Sequence, residues 1–398
     1  MISPFVIGRL PRIEFGSGRI AQLPTLAARY GRRLLILTGA HSFTSSLPWE
    51  ELRKALAEGY FGGEIVRILG EPAPEEIDSI VRLSREGRFD AVIGIGGGSV
   101  LDAAKAVAGL LKPGNSVMDH LEGVGPELPY RGPAIPFIAV PTTAGTGSEA
   151  TKNAVLTRQG TDGFKKSFRD DRLMAEYAIV DPDLLATCPP DLIAANGMDA
   201  LTQLLEAYVS TRANPITDSL ALAGLESVRD GLLAWYLGGE GAAAGREKMA
   251  LAALLSGICL AQAGLGSVHG LAQPLGSFFP ISHGVVCGTL VAAATRVNCE
   301  VLLARAPGHP ALAKYATVGR LLGADPHTSD ACARDGLLAI LEEWTRLLKL
   351  PPLSQLGVAV GDIPRILAHS RGSSMKTNPV SLQDAEIERI LQMRLLTA

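Results

Sequence analysis

The spacing of apolar residues changes near the middle of the chain. Between residues 33 and 180, short apolar runs recur at 33–38 (RLLILT), 91–95, 135–140 and 178–180, with a third strand at 64–68 that carries Glu64 and Arg67, and glycine, proline or hydroxyl residues follow nearly every one. Runs this short and continuous predict strands covered on both faces. Segments 49–56, 74–85 and 99–111 carry the 3.6-residue period and predict helices between those strands. Upstream, 5–7 and 12–15 read as short strands on either side of Pro11, forming an edge hairpin, and 20–30 reads as a helix. Beyond Cys188-Pro189-Pro190 the strand pattern stops. Ala/Leu-rich windows of helical period follow, broken at Gly or Pro. Alternating strands and helices imply a parallel twisted sheet. The expected fold is an α/β dinucleotide-binding domain over residues 1–187, followed by an all-helical domain over 188–398.

Composition narrows the class. At 398 residues the chain exceeds the size at which one core stops growing, so two domains are expected. With 47% apolar and 19% charged residues, it buries a large core and is not disordered. A net charge of −3, with no basic tract, argues against nucleic acid as a partner. Arg9, Arg12, Glu14 and Arg19 interrupt any leader-like apolar run. No window reaches the roughly 18 consecutive apolar residues of a membrane span. The 5 cysteines are widely spaced and read as small core residues in a reducing compartment. A cytoplasmic enzyme is expected.

Three features carry candidate chemistry in the first half. The run AVIGIGGGSVLDAAK reads as strand, glycine loop, helix. Gly96, Gly97 and Gly98 lack a Cβ and let a diphosphate approach the backbone, with Ser99 as N-cap of a helix whose positive end favours an anion. A tight turn would read the same way. The spacing is neither G-x-G-x-x-G nor a Walker motif. A second small-residue loop follows the next strand, with hydroxyls at Thr142, Thr143, Thr146 and Ser148. Two such loops at strand ends point to a dinucleotide site. Lys165 adds a charge suited to ribose or phosphate, or is simply a solvated surface lysine. At the end of the second strand, where a carboxylate would grip a ribose 2′-hydroxyl, the chain has Gly39, which favours NADP or tolerance of both cofactors.

In the second half, Asp199, Gln203 and Glu206 lie in GMDALTQLLEAYVS, with Asp199 and Gln203 four apart and on one helical face. His269 lies in SVHGLAQPLG and His283 in ISHGVVCG. Carboxylate and imidazole suit a divalent cation, although a helical histidine is as readily a satisfied core residue.

GGGSVLDAAKA, PTTAGTGSEAT, AIVDPDLL, HGLAQPLG and PISHG together resemble the iron-containing (group III) alcohol dehydrogenase family, related to glycerol dehydrogenase and dehydroquinate synthase. The resemblance runs from about residue 15 to 379. It implies a metal and nicotinamide site in the cleft between the two domains. By position it puts the diphosphate on Gly97, Gly98 and Ser99, with Asp102 behind them. Thr142, Thr143, Thr146 and Ser148 then surround the ribose and nicotinamide, and Lys165 reaches the ribose. Asp199, His269 and His283 match three metal ligands. Where the family usually has histidine, this chain has Gln203, the remaining ligand; where it often has histidine near the substrate, this chain has Gln273. A glutamine oxygen is a weak neutral ligand, and glutamine cannot serve as an acid or base.

The resulting expectation is an NAD(P)-dependent oxidoreductase interconverting a small alcohol and its aldehyde or ketone, assisted by Fe or Zn, as a homodimer. With metal, Asp199, Gln203, His269 and His283 hold it; without metal, as in a maleylacetate-reductase type of enzyme, His269 or His283 donates a hydrogen bond to the developing alkoxide. The alternatives are a dehydroquinate-synthase-like lyase and a non-catalytic dinucleotide-binding protein.

Overall fold

The computed structural model describes residues 4–323 and 325–395. The strands are β1 (Arg12–Phe15), β2 (Arg33–Gly39), β3 (Gly62–Ile68), β4 (Ala91–Gly96), β5 (Phe137–Pro141), β6 (Asn153–Arg158), β7 (Phe164–Arg169) and β8 (Tyr177–Val180). A six-stranded sheet has the order β1-β8-β5-β4-β2-β3, and every neighbouring pair is parallel. Its middle strands β4 and β5 are buried along their whole length. That explains why they read as unbroken apolar runs rather than alternating ones. Edge strand β3 is mostly exposed and carries Glu64 and Arg67, charges that discourage pairing with another chain.

Helices α1 (Leu23–Ala27), α2 (Leu47–Glu58), α3 (Pro74–Ser84) and α4 (Gly98–Leu110) connect these strands. Two expectations fail at the start of the chain. Residues 5–7 form no strand, so there is no edge hairpin; β1 instead runs parallel to β8, from Arg12 beside Tyr177 to Phe15 beside Val180. Pro11 has no N–H to give a ladder. The Asp181 carboxylate, just past β8, draws the chain in by accepting the N–H groups of Gly18 (3.1 Å) and Ile20 (3.0 Å). Segment 20–30 is a short 3₁₀ turn and the five-residue α1 rather than one helix. The ribbon β6–β7 was not anticipated.

Contacts divide the chain into two units, one of Gly8–Arg158 with Lys165–Cys188, and one of the chain from Pro189 onward with Gln159–Phe164 and the N-terminal residues. From Pro189 onward, the regular structure of the described residues is helical: α5 (Pro190–Val209), α6 (Pro215–Leu237), α7 (Ala242–Ala263), α8 (Ser267–Phe278), α9 (His283–Arg305), α10 (Pro310–Leu322), α11 (Asp330–Leu347), α12 (Ile363–His369) and α13 (Asp384–Leu395). Val268, Leu271 and Leu275 of α8, Val286 and Leu290 of α9, and Ile387 and Leu391 of α13 share one core. Helix α9 is long and apolar enough to cross a membrane, but 83% of its apolar window is buried inside the unit. Its composition is that of a core helix.

In the sheet unit, α4 is buried from Val100 to Leu110 and includes Lys105, which is 0% exposed. A buried ammonium must have acceptors. Lys105 Nζ donates to the Ser148 carbonyl (2.9 Å) and hydroxyl (3.0 Å), to Thr151 Oγ1 (3.0 Å) and to the Asn153 carbonyl (2.6 Å). These bonds tie α4 to the connection between β5 and β6. Nearby, burial pushes the Glu149 carboxyl up from 4.5 to about 7, against the pull of its own backbone N–H and of Lys105. The folded state therefore favours the protonated acid, and the stability it contributes is complete below about pH 4.5 and lost as pH rises through about 7. Glu149→Gln should remove this loss. Thermal melts between pH 4 and 8 should show the variant gaining melting temperature relative to wild type as pH rises; a constant difference would contradict it.

Candidate active site

Asp199, Gln203 and Glu206 fall at intervals of four and three along α5 and share one face. Helix α5 is buried almost all round, so this polar face has no water to solvate it. Its partners come from the starts of α8 and α9. Helix α9 approaches closely because it presents two glycines one turn apart. A Cβ on Gly284 would lie 2.4 Å from the Ala195 carbonyl oxygen, and one on Gly288 would lie 2.8 Å from Met198 Cβ. His283 and Cys287 stand beside these glycines, four residues apart, and are carried to the same place.

Glu206 organises α8. Its carboxylate accepts the N–H groups of Gly266 (2.9 Å) and Val268 (2.7 Å), which complements the positive helix start, and its Oε2 lies 2.7 Å from His269 Nδ1. The carboxylate holds the proton on Nδ1 and aims Nε2 at Asp199 Oδ1, 3.3 Å away. His283 Nε2 lies 3.7 Å from the same oxygen. Cys287 Sγ is 3.7 Å from each Nε2. The ligating atoms of Asp199, His269, His283 and Cys287 all lie within 4.8 Å of one another.

This cluster suits a divalent cation. Both Asp199 oxygens are buried, and neither accepts a hydrogen bond of ordinary geometry. Burial would raise the Asp199 carboxyl, but the charge of His283, the contact and charge of His269 and an off-line contact from the Gln203 amide together hold it at about 2. Burial opposes a charged His269; Cys287, Asp199 and Glu206 outweigh it and raise the imidazole well above its ordinary value. Burial pushes the Cys287 thiol up to about 12. A carboxylate, two imidazoles and a thiol gathered out of water are a donor set for a borderline cation.

Sequence reasoning had placed Asp199, His269 and His283 together, and they are together. It gave no role to Glu206 and read Cys287 as core packing. The signals were present: Glu206 shares the face of Asp199, and Cys287 lies one turn beyond His283. Gln203 Oε1 accepts from the Ser256 hydroxyl at 3.1 Å, a hydrogen shared with the Ala253 carbonyl. Gln273 is half-buried and rests against Gly372, where an added Cβ would lie 2.6 Å from its Oε1.

The glycine and hydroxyl loops of the sheet unit also meet. A Cβ on Gly97 would lie 3.3 Å from Thr143 Oγ1, and one on Gly98 would lie 2.7 Å from Thr146 Oγ1. The N-cap of α4 is Gly97 rather than Ser99, which sits inside the first turn. A loop without side chains at 96–98 lets the helix begin two residues earlier. Thr142 is buried, its N–H donating to the Gly96 carbonyl at 3.0 Å. The Ser148 hydroxyl donates to Asp102 at 2.5 Å and accepts from Lys105, so Ser148 and Asp102 bind the loop to α4. Lys165 is no solvated surface lysine: it is buried and pairs with Glu71 at 2.7 Å, where Glu71 also accepts from Thr157. Gly39 ends β2, and a Cβ there would make only an ordinary contact with Val100 at 3.9 Å.

Residues 11–182 match the model of the iron-containing alcohol dehydrogenases, and residues 193–395 match that of the Fe-containing alcohol dehydrogenase family, C-terminal. The chain is 38% identical over 276 residues to long-chain-alcohol dehydrogenase 1 of Geobacillus thermodenitrificans, covering 69% of this chain and 68% of that one. It is 30% identical over 357 residues to the NAD-dependent methanol dehydrogenase of Bacillus methanolicus, covering 89% and 90%. An archaeal halo-thermophilic alcohol dehydrogenase from a Red Sea brine pool shares the fold with a TM-score of 0.90, at 26% identity over 99% of each chain.

Glu206 gives this site its first test. Glu206→Gln keeps the shape but loses the anionic acceptor at His269 Nδ1, and should weaken divalent-metal binding by about 10–100-fold with the helical fold intact by circular dichroism. Unchanged affinity in a chelator competition would contradict the role.

Proposed function

This chain belongs to the iron-containing alcohol dehydrogenase family, and as an NAD(P)-dependent oxidoreductase that interconverts an alcohol and its carbonyl compound, we propose, it divides the work as follows. Residues 188–398 form the metal and substrate domain, with the cation held by Asp199, His269 and His283 and with Gln203 beside them. Residues 1–187 form the dinucleotide domain. There Gly97, Gly98 and Ser99 take the diphosphate over α4, with Asp102 supporting their loop. Thr142, Thr143, Thr146 and Ser148 shape the ribose and nicotinamide pocket, and Lys165, anchored by Glu71, serves the ribose. The buried carboxylate of Asp199, with neither oxygen in a hydrogen bond of ordinary geometry and two imidazoles beside it, is the observation that carries this reading.

A bound divalent cation supplies Lewis acidity toward the substrate oxygen, and the nicotinamide supplies or accepts the hydride. The protein holds and orients. Glu206 fixes the tautomer and direction of His269. The His283 side chain is 24% exposed against 6% for His269, so substrate oxygen approaches from the His283 side. Gln273 orients substrate by hydrogen bonding and moves no proton, since its amide does not titrate. Family membership favours this chemistry over a lyase of the dehydroquinate-synthase type and over a non-catalytic binder. In the metal-independent variant of the reading, His269 or His283 alone would steady the alkoxide. We further place the enzyme in the cytoplasm as a homodimer, acting on a short or moderately hydrophobic alcohol.

The deciding assay is reduction of a short aldehyde and ketone panel with NADH and NADPH by chelator-stripped and by Fe²⁺- or Zn²⁺-reloaded protein. Turnover should vanish on stripping and return on reloading, and His269→Ala should abolish it without loss of cofactor binding. Activity indifferent to stripping would remove the metal from the mechanism, and full activity of the variant would sink both versions. A second expectation concerns Gly39. Wild type should accept NADPH as well as NADH, and Gly39→Asp, which the space beside Val100 admits, should shift the ratio of kcat/KM values toward NADH by about tenfold or more through repulsion of a 2′-phosphate. An unchanged ratio would place the ribose elsewhere.

A further inference from the structure

We propose that Cys287 is a thiolate ligand of the metal site, taking the fourth corner. This rests on the metal-site reading above.

Four separations follow the edges of a tetrahedron. His269 Nε2 to Asp199 Oδ1 is 3.3 Å, His283 Nε2 to the same oxygen is 3.7 Å, and Cys287 Sγ is 3.7 Å from each Nε2. A tetrahedral ion with arms of about 2.0–2.1 Å to nitrogen and oxygen and about 2.3 Å to sulfur has nitrogen–oxygen edges of about 3.3 Å and nitrogen–sulfur edges of about 3.6 Å. These four edges agree with that geometry to within a few tenths of an ångström, and all four ligating atoms lie within 4.8 Å of one another.

The position of Cys287 is built in. One helical turn separates it from His283, it is 0% exposed, and the neighbouring Gly288 is pressed against Met198 of α5. The other buried cysteines lack such company: the Cys259 thiol, for instance, meets only a backbone carbonyl, that of Thr217 at 3.5 Å. On binding, the Cys287 S–H proton passes to solvent as the sulfur–metal bond forms. The added sulfur makes the site softer, shifting preference toward Zn²⁺ and away from hard ions such as Mn²⁺.

The test is Co²⁺ loading of the chelator-stripped full-length chain under anaerobic conditions, read by absorbance. Wild type should show visible ligand-field bands together with a near-ultraviolet sulfur-to-cobalt charge-transfer band. Cys287→Ser should keep the visible bands, lose the charge-transfer band, and bind Zn²⁺ about a hundredfold more weakly, with a smaller change for Mn²⁺. Visible bands without charge transfer in wild type would overturn the thiolate while leaving the metal site standing. No cobalt bound at all would overturn the metal reading itself. Should Cys287→Ser fail to fold, the wild-type spectrum decides alone.

Discussion

A carboxylate with both oxygens out of water has to be compensated, and in the helical unit Asp199 is that carboxylate. The surrounding helices are arranged to meet this demand. Helix α5 is buried on nearly every side and carries its polar residues on one face. Helix α8 begins where Glu206 accepts its first N–H groups, which sets the angle of His269. Helix α9 lies almost in backbone contact with α5 through Gly284 and Gly288, bringing His283 and Cys287 level with the carboxylate. The imidazoles of His269 and His283 both face this carboxylate, and a divalent cation among them would compensate its charge. The apolar core around α8, α9 and α13 fixes the backbone to which these side chains are attached.

The sheet unit solves the mirror problem. There the buried charge is positive, Lys105, and its compensation comes from the Ser148, Thr151 and Asn153 acceptors and from Asp102. The result is mechanical: the hydroxyl-rich loop is pinned to the helix that starts at the glycine loop. Cradles for anions need backbone N–H groups held still, and the buried hydrogen bonds of Lys105 hold this loop.

Much of this was legible in the sequence because the physics is local. Unbroken apolar runs between residues 33 and 180 read as central parallel strands, and the loss of that pattern after Pro190 reads as helix. Asp199, His269 and His283 stood out because polar residues on apolar helices need a reason. What was missed depended on distant partners. Parallel pairing of β1 with β8 joins residues over 160 positions apart, and Arg12–Phe15 alone suggested a hairpin instead. The β6–β7 ribbon was obscured by the two lysines in its second strand. The bonds of Ser148 to Lys105 and Asp102 were not legible because Lys105 looked like any helical lysine. Cys287 read as a core residue and does lie in the core, but its place between two imidazoles depends on His269 of another helix and was not legible.

The central claim is that the cluster around Asp199 exists to bind one divalent cation, and calorimetric titration of Zn²⁺ into chelator-stripped wild type and Asp199→Asn tests it most directly. One tight site per chain in wild type and loss of that site in a variant that still melts cooperatively is the expected result. Equal binding by the two proteins, or none by wild type, would contradict the account.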